Sequence, residues 1–367
     1  MERVGKFVCW ILFGIVLTLF LFHPADCIQP VVVKHNSKLI SALIRNPNNW
    51  PRRNLNPHNG IRPPSRLRRD IRIGFIDDVD RVCGVGNPPD DNSWMRIVGG
   101  VETAPNEFPW QVFLVLEKAN HQLFSCGGSL ISDRWILTAA HCLENVAIVH
   151  VTLGAHNVDD DQEIHQENYR SRDYYIHPDW DSNTLQGDIG LIRLPQSIDF
   201  SDYVRPICLD SPSESLNDYV GETVVLTGWG LYSDEGGGTS SVLRKTSAEV
   251  ITNQECYEQY DSLITDDMMC TSTTNHHGTC NGDSGGPMHL EMADGSWKQI
   301  GIVSFGSNLG CEKGYPNGFT RVSSFATWIQ NTTAQMSNTA VQMKQPAVTT
   351  MLWLALLSAL DLTSILT

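Results

Sequence analysis

Three short segments carry side chains whose types could do nucleophilic chemistry. Gly282-Asp283-Ser284-Gly285-Gly286-Pro287 sets one hydroxyl among glycines. Leu137-Thr138-Ala139-Ala140-His141-Cys142 sets one imidazole at the end of a mostly apolar run. Asp188-Ile189-Gly190-Leu191-Ile192-Arg193-Leu194 opens on a carboxylate and then stays apolar except at Arg193, as a strand leading away from a sheltered acid would. A serine hydroxyl is a weak nucleophile at neutral pH and needs a base to take its proton during attack. Imidazole titrates in the right range for that task. A carboxylate beside it can hold one tautomer and stabilise the charged ring. Each segment alone is a modest signal, and a plain glycine-rich turn is the rival explanation for residues 282–287.

The elements that must position these groups are short. From Ile97 onward, apolar runs at 111–116, 135–139, 147–153, 189–194, 223–227 and 299–305 are bounded by Gly, Asn and Asp. Turn signals such as Ala155-His156-Asn157 and residues 234–238 separate them. Many short strands with that punctuation predict an all-β barrel or sandwich. One helical pattern occurs late, over 323–330, and there is no short fixed repeat.

Taken together, in the order His, Asp, Ser, the three segments resemble the chymotrypsin-like (trypsin-fold) serine proteases. The resemblance covers about residues 83–330. It implies two six-stranded antiparallel β-barrels with a C-terminal helix, the site in the cleft between them, and a boundary near 208–222. It implies Ser284 as nucleophile, His141 as base and then acid, and Asp188 as the buried partner of His141. The N–H groups of Gly282 and Ser284 would face the oxyanion. Arg96-Ile97-Val98-Gly99-Gly100 is similar to the family's zymogen cleavage site, so a cut after Arg96 would free an ammonium at Ile97 to pair with Asp283. A buried charge is costly unless paired, which would couple cleavage to pocket formation. The resemblance also implies the disulfides Cys126–Cys142, Cys256–Cys270 and Cys280–Cys311, with Cys83–Cys208 keeping the pro-region tethered. By spacing alone, eight cysteines allow about 105 pairings. The rival function is a non-catalytic binding protein on the same fold; such homologues usually lack a catalytic residue, and here all three are present.

Matching positions around the nucleophile place Gly278 at the base of the primary pocket, where trypsin-like members carry an aspartate. Ser304, Phe305 and Gly306 would form its walls and pair with an extended peptide in β fashion. Ser304-Phe305-Gly306-Ser307, Leu153-Gly154-Ala155-His156-Asn157 and Tyr315-Pro316-Asn317-Gly318-Phe319-Thr320-Arg321-Val322 resemble the brachyurin branch of arthropod proteases, which includes broad-specificity, collagen-cleaving enzymes. Several of its members have an aspartate at the position of Asn317, where this chain has an amide. Large apolar P1 residues are therefore expected, Leu, Phe and Tyr with Met or Gln also accepted, which is a chymotrypsin-like or broad preference. The alternative for Asn317 is a turn-former, since Asn-Gly favours turns.

Composition and the chain's ends bound the remainder. The 367 residues carry a net charge of -15, which argues against nucleic acid as a partner. Residues 28–96 hold 12 Lys+Arg against 6 Asp+Glu, and residues 97–330 hold 11 against 32. A basic leader on an acidic body suggests two regions with separate fates. Residues 1–27 read as a secretory signal peptide: two basic residues, then 16 uncharged residues from Phe7 to Phe22, then Ala25 near the cut. The rival, a signal anchor, would need a longer run of about 20 residues. Removing Cys9 and Cys27 leaves an even set of eight cysteines, as an exported, disulfide-bonded protein would have.

Residues 28–96 form the pro-region. Within it, 45–66 are rich in Asn, Pro and Arg and read as a linker ending in Arg66-Leu67-Arg68-Arg69. That tetrapeptide suits a furin-like convertase, or is simply a solvated basic run. Residues 97–330 are the protease domain and 331–367 the tail. In the tail, Ser337-Asn338-Thr339-Ala340, a ten-residue spacer and the apolar run 351–360 have the layout of a GPI-attachment signal, against which Asp361 counts. Asn331-Thr332-Thr333 is a glycosylation sequon. No metal and no cofactor are expected: the acidic residues of 155–167 and the pair His276-His277 lack a full ligand set. The partners implied are protein or peptide substrates, an activating trypsin-like protease and protein inhibitors, with membrane attachment only through the lipid anchor. The pro-region and tail favour a tethered surface protease over a digestive one.

Overall fold

The computed structural model describes residues 28–30, 83–88 and 100–344, apart from 161, 215–216, 232, 235–237, 274–277 and 281; for 28–30 and 336–344 it describes the backbone alone. The signal peptide, the 66–69 site, Arg96 and Ile97, His276-His277 and the attachment signal lie outside the described residues. The chain divides into two compact units, one up to Ser324 and one from Phe325.

In chain order, β1 (Ile28–Pro30) and β2 (Val101–Glu102) precede the first large sheet. That sheet contains β3 (Gln111–Lys118), β4 (Leu123–Leu130), β5 (Trp135–Thr138), β6 (Val146–Leu153), β7 (Glu167–Ser171), β8 (Tyr174–Ile176) and β9 (Gly190–Arg193). Its order is β7-β6-β3-β4-β5-β9-β8, antiparallel throughout. The strands at the two ends of this order, β7 and β8, are separated in the chain by Arg172 and Asp173 alone, so the sheet must curl round on itself. The Ser171 hydroxyl donates to the Arg193 carbonyl at 2.6 Å, and Arg193 N–H to the Asp173 carbonyl at 2.8 Å, across that seam. β7 and β8 thus act as two halves of one bent strand, which gives the sheet six strands in effect.

The second sheet contains β10 (Cys208–Leu209), β11 (Thr223–Gly228), β12 (Arg244–Ile251), β13 (Met268–Thr271), β14 (Pro287–Glu291), β15 (Trp297–Ser307) and β16 (Asn317–Arg321). The order β15-β14-β11-β12-β13-β16 closes through a β15–β16 pairing into a six-stranded barrel. β1, β2 and β10 attach to it outside that ring, β10 in parallel with β15. The observed plan is therefore a curled first sheet, a half-barrel, followed by a closed six-stranded barrel, with the crossover near Cys208.

The core follows the two-residue period of strands. In β3, Phe113 and Val115 face a cluster with Trp229 and Leu243 of the second barrel, and Phe113 meets Trp229 edge-on at 5.4 Å. The second barrel is filled by Val224, Leu226, Val250, Met269, Met288, Ile300, Val303 and Phe319. Buried polar pairs also bridge the barrels. Ser129 donates to Gln299 at 2.5 Å, Thr227 to Gln111 at 2.6 Å, and Trp110 Nε1 to His289 Nε2 at 3.0 Å. Such groups are costly unless paired, so they fix how the barrels meet.

Two short helices interrupt the strands, α1 (Ala140–Leu143) and α2 (Asn253–Tyr260). α2 begins with a capping box: Thr252 Oγ1 accepts from Glu255 N, and Glu255 reaches back to Thr252 N. In the second unit, α3 (Ala326–Lys344) extends well past the predicted end at residue 330, and Asn331 lies exposed on it. Disulfides join Cys83 to Cys208, Cys126 to Cys142, Cys256 to Cys270 and Cys280 to Cys311.

Candidate active site

His141 lies on α1, the single helical turn that follows β5. The turn is pinned to β4 by Cys126–Cys142. Asp188 precedes β9, which pairs with β5, so the strand ladder brings the acid back beside the helix. The backbone N–H of His141 donates to Asp188 Oδ1 at 2.9 Å, and Nδ1 faces Oδ2 at 2.8 Å. Asp188 is fully buried and His141 nearly so. The carboxylate accepts, so Nδ1 carries the proton and Nε2 keeps the lone pair. That is the tautomer a general base requires. Gly190 permits the packing: a Cβ there would lie 2.6 Å from Leu143 of α1.

Two further donors hold Asp188. The Ser304 hydroxyl reaches Oδ2 at 2.5 Å, and the Thr320 hydroxyl reaches the Asp188 carbonyl at 2.8 Å. Both come from the second barrel, so the acid of one barrel is oriented by the other. The spacing of the sequence points to neither: they lie 116 and 132 residues from Asp188. The expected pocket-wall role of Ser304 is a backbone role, and its hydroxyl has this separate partner in Asp188.

Ser284 is fully buried on a tight turn between Asp283 and β14. Its carbonyl accepts from Gly127 N of β4 at 2.7 Å, and Gly285 N donates to the Val303 carbonyl at 2.8 Å. The turn is thus clamped between the barrels. Gly282 and Gly285 have φ of 103° and 76°, values that favour glycine. A Cβ on Gly285 would lie 2.2 Å from Thr138 Oγ1. The Ser284 turn therefore packs against the end of β5, three residues ahead of His141.

Asp283 points the other way, into the second barrel. Its oxygens accept from Gly230 N at 2.8 Å and Cys280 N at 3.0 Å. Gly228 and Gly230 make its room, since a Cβ at either would strike the carboxylate. Burial pushes its pKa up to about 6, against the pull of the two amides. It lines a depression with Gly100, Gly228, Gly230, Arg244 and Thr279, whose empty space including the open mouth is about 570 Å³.

The expected pocket residues converge as well. Asn317 begins β16 and is buried. Its Oδ1 accepts from Thr279 N at 3.0 Å and its Nδ2 donates to the Thr279 carbonyl at 3.2 Å. Gly278 must lack a side chain, because a Cβ would lie 2.2 Å from Asn317 Oδ1. Asn317 therefore buttresses the 278–279 backbone through a two-bond clamp. Gly306 stands beside Asn317 Nδ2, whereas Phe305 turns away into a cluster with Leu185, Tyr260 and Met268. In the acidic loop 155–167, Glu163 accepts from the backbone N–H groups of His156 and Asn157.

A sequence model of the family described as Trypsin matches residues 97–329. Brachyurin from Leptuca pugilator is 43% identical over 237 residues, covering 65% of this chain and 98% of its own length. Chymotrypsin from Phaedon cochleariae is 36% identical over 244 residues, 66% of this chain and 84% of that protein. Among solved structures, that of HL collagenase superposes with a TM-score of 0.59 at 34% identity, covering 65% of this chain and 99% of that one.

Proposed function

Because the chain belongs to the trypsin family of serine endopeptidases and hydrolyses peptide bonds, we propose that His141, Asp188 and Ser284 carry out that reaction. Ser284 Oγ attacks the scissile carbonyl while His141 Nε2 takes its proton. Negative charge builds on the carbonyl oxygen, where the N–H groups of Gly282 and Ser284 receive it. The imidazolium is stabilised by Asp188 and gives its proton to the leaving amine. Water then repeats the sequence on the acyl-enzyme. The observation that carries this reading is the buried His141–Asp188 contact at 2.8 Å, which leaves Nε2 as the basic nitrogen.

We further propose that the protein is made as a zymogen, cut after Arg96. Gly100 lines the same depression as Asp283, and the three residues back to Ile97 can span about 10 Å. A new ammonium at Ile97 would reach a carboxylate that now holds only backbone N–H groups among the described residues. An uncharged pocket base at Gly278, clamped Asn317 and open Gly306 favour large apolar P1 residues. Four disulfides suit an oxidising compartment and hence export, with the tail as a lipid-attachment signal. Release of the protein from cells by a phosphatidylinositol-specific phospholipase tests that last point; full recovery in the medium without it refutes anchoring.

The deciding experiment is P1 profiling on a peptide library after cleavage at Arg96, beside a Ser284→Ala control. Cleavage after Leu, Phe or Tyr, absent in the control, is the expected result. Cleavage mainly after Arg or Lys overturns the pocket assignment, and none at all overturns the catalytic one.

A further inference from the structure

β15 has an open edge next to the catalytic residues. Along residues 301–305 it pairs with β16 on one side, and along 297–302 with β14 on the other. β14 begins at Pro287, opposite Ile302, and Gly285 and Gly286 bond Val303 just beyond it, so from Ser304 onward that edge of β15 can accept another strand. β1 takes it. Ile28 lies opposite Ser307, Gln29 opposite Gly306 and Pro30 opposite Phe305, all antiparallel. Phe305 therefore has Gly318 on one side and a residue of the N-terminal segment on the other.

The polarity of this strand matters. From Ile28 to Pro30 the chain runs from Ser307 toward Phe305, and the next residue of β15 is Ser304, whose hydroxyl is on Asp188. The segment therefore points, amino to carboxyl end, at the His141–Asp188 pair. An extended peptide that adds to the same edge antiparallel must have the same polarity and use the same backbone groups. The two cannot be there together.

The covalent chain adds a second constraint. Cys83 is bonded to Cys208, so a cut after Arg96 leaves residues 28–96 attached to the enzyme. A tethered strand competes at an effective concentration in the millimolar range. The basic run Arg66-Leu67-Arg68-Arg69 lies between the strand and its tether. Hydrolysis after Arg69 consumes one water, leaves a carboxylate on Arg69 and an ammonium on Asp70, and frees residues 28–69.

We propose that Ile28–Pro30 is a built-in competitor for the substrate edge of β15, that Cys83–Cys208 retains it after the activating cut, and that a second cut after Arg69, by a protease selective for basic residues, clears the cleft. The proposal rests on the peptidase reading above. It makes activation a two-cut process in which the first cut completes the site and the second opens it.

The test uses full-length chains with an enteropeptidase recognition sequence in place of residues 92–96, and in a second chain also in place of 65–69. The singly cut form keeps the strand and the doubly cut form loses it. A third chain, singly cut, carries Ile28→Gly, Gln29→Gly and Pro30→Gly. With an effective concentration near 1 mM and a dissociation constant of about 0.1 mM, the strand raises the apparent KM about tenfold at unchanged kcat. The expected order is a high KM in the first form and equal, low values in the other two. Equal KM values in all three overturn the competitor, while turnover in none of them overturns the peptidase reading. Hydrogen exchange in the Ser284→Ala versions tests the strand without turnover: amides of residues 305–307 exchange more slowly in the singly cut form than in the other two. Identical exchange in all three overturns the pairing.

Discussion

Ser304 and His141 meet on one atom. The Ser304 hydroxyl donates at 2.5 Å to Asp188 Oδ2, the same oxygen that faces His141 Nδ1 at 2.8 Å. The acid that orients the base is thus itself oriented from the opposite barrel. In Ser304→Ala one hydrogen bond to a carboxylate disappears, a loss of about 2 kcal/mol. The expected result is a fall in kcat of about thirtyfold with KM unchanged. A purely structural role would lower the amount of folded enzyme and leave kcat per active site intact, so active-site titration separates the two.

Asp188→Asn keeps the shape but presents an amide where Nδ1–H must donate. The ring then favours the wrong tautomer, and kcat falls by about 10⁴. Steady-state kinetics on a peptide amide checks this, with thermal unfolding to show that the fold survives.

Asp283 should make the stability of the full-length chain sensitive to pH. Its pKa is raised by burial from 3.8 to about 6. A carboxyl whose folded pKa lies above its unfolded value stabilises the fold below the unfolded pKa, and that contribution is lost as pH rises through the folded one. The uncut chain should lose on the order of 3 kcal/mol from this group between pH 4 and 6. Asp283→Asn should remove that dependence. Urea midpoints of the two proteins across that window decide it, and parallel curves would contradict the assignment.

His289 has the opposite sign. It is wholly buried, accepts from Trp110 Nε1 at 3.0 Å, and burial pushes its pKa down from 6.5 to about 3. Its stabilising contribution is present above the unfolded pKa and is lost as pH falls from 6.5 toward 3. The loss is on the order of 5 kcal/mol at the acid end. His289→Gln retains an acceptor for Trp110 without the titration, so its urea midpoint should fall less steeply between pH 6.5 and 3.

Asn317→Asp places an oxygen where Nδ2 now donates to the Thr279 carbonyl. Two acceptors face each other, and a cationic substrate side chain relieves the conflict. The ratio of kcat/KM for Arg over Leu at P1 should rise at least about tenfold, the equivalent of 1.4 kcal/mol. An unchanged ratio would place Asn317 outside substrate reach.

Much of this protein is written in short stretches of its chain. The short apolar runs at 111–116 and 223–227, rich in β-branched residues and bounded by turn signals, specify strands β3 and β11. The glycines around Ser284 are legible for the same local reason: φ values of 103° and 76° exclude most side chains. The family resemblance and the identities of His141, Asp188 and Ser284 rest on such segments.

Other relationships exist only in the folded chain. The Ser304 hydroxyl could have faced a substrate pocket; the register of β15 against β16 sends it to Asp188. The amide of Asn317 could have met a ligand or made a turn, and the closing of the second barrel brings it against Thr279. Ile28 and the neighbouring Val31-Val32-Val33 favour a strand, but the partner of β1 is not legible in the chain: it pairs along the edge of β15 that β14 leaves uncovered. The division has one physical cause. Backbone conformation and face periodicity depend on neighbours within a few residues, so the amino-acid sequence by itself determines them. A hydrogen-bond partner more than a hundred residues away depends on strand register and barrel closure, which only the tertiary structure decides.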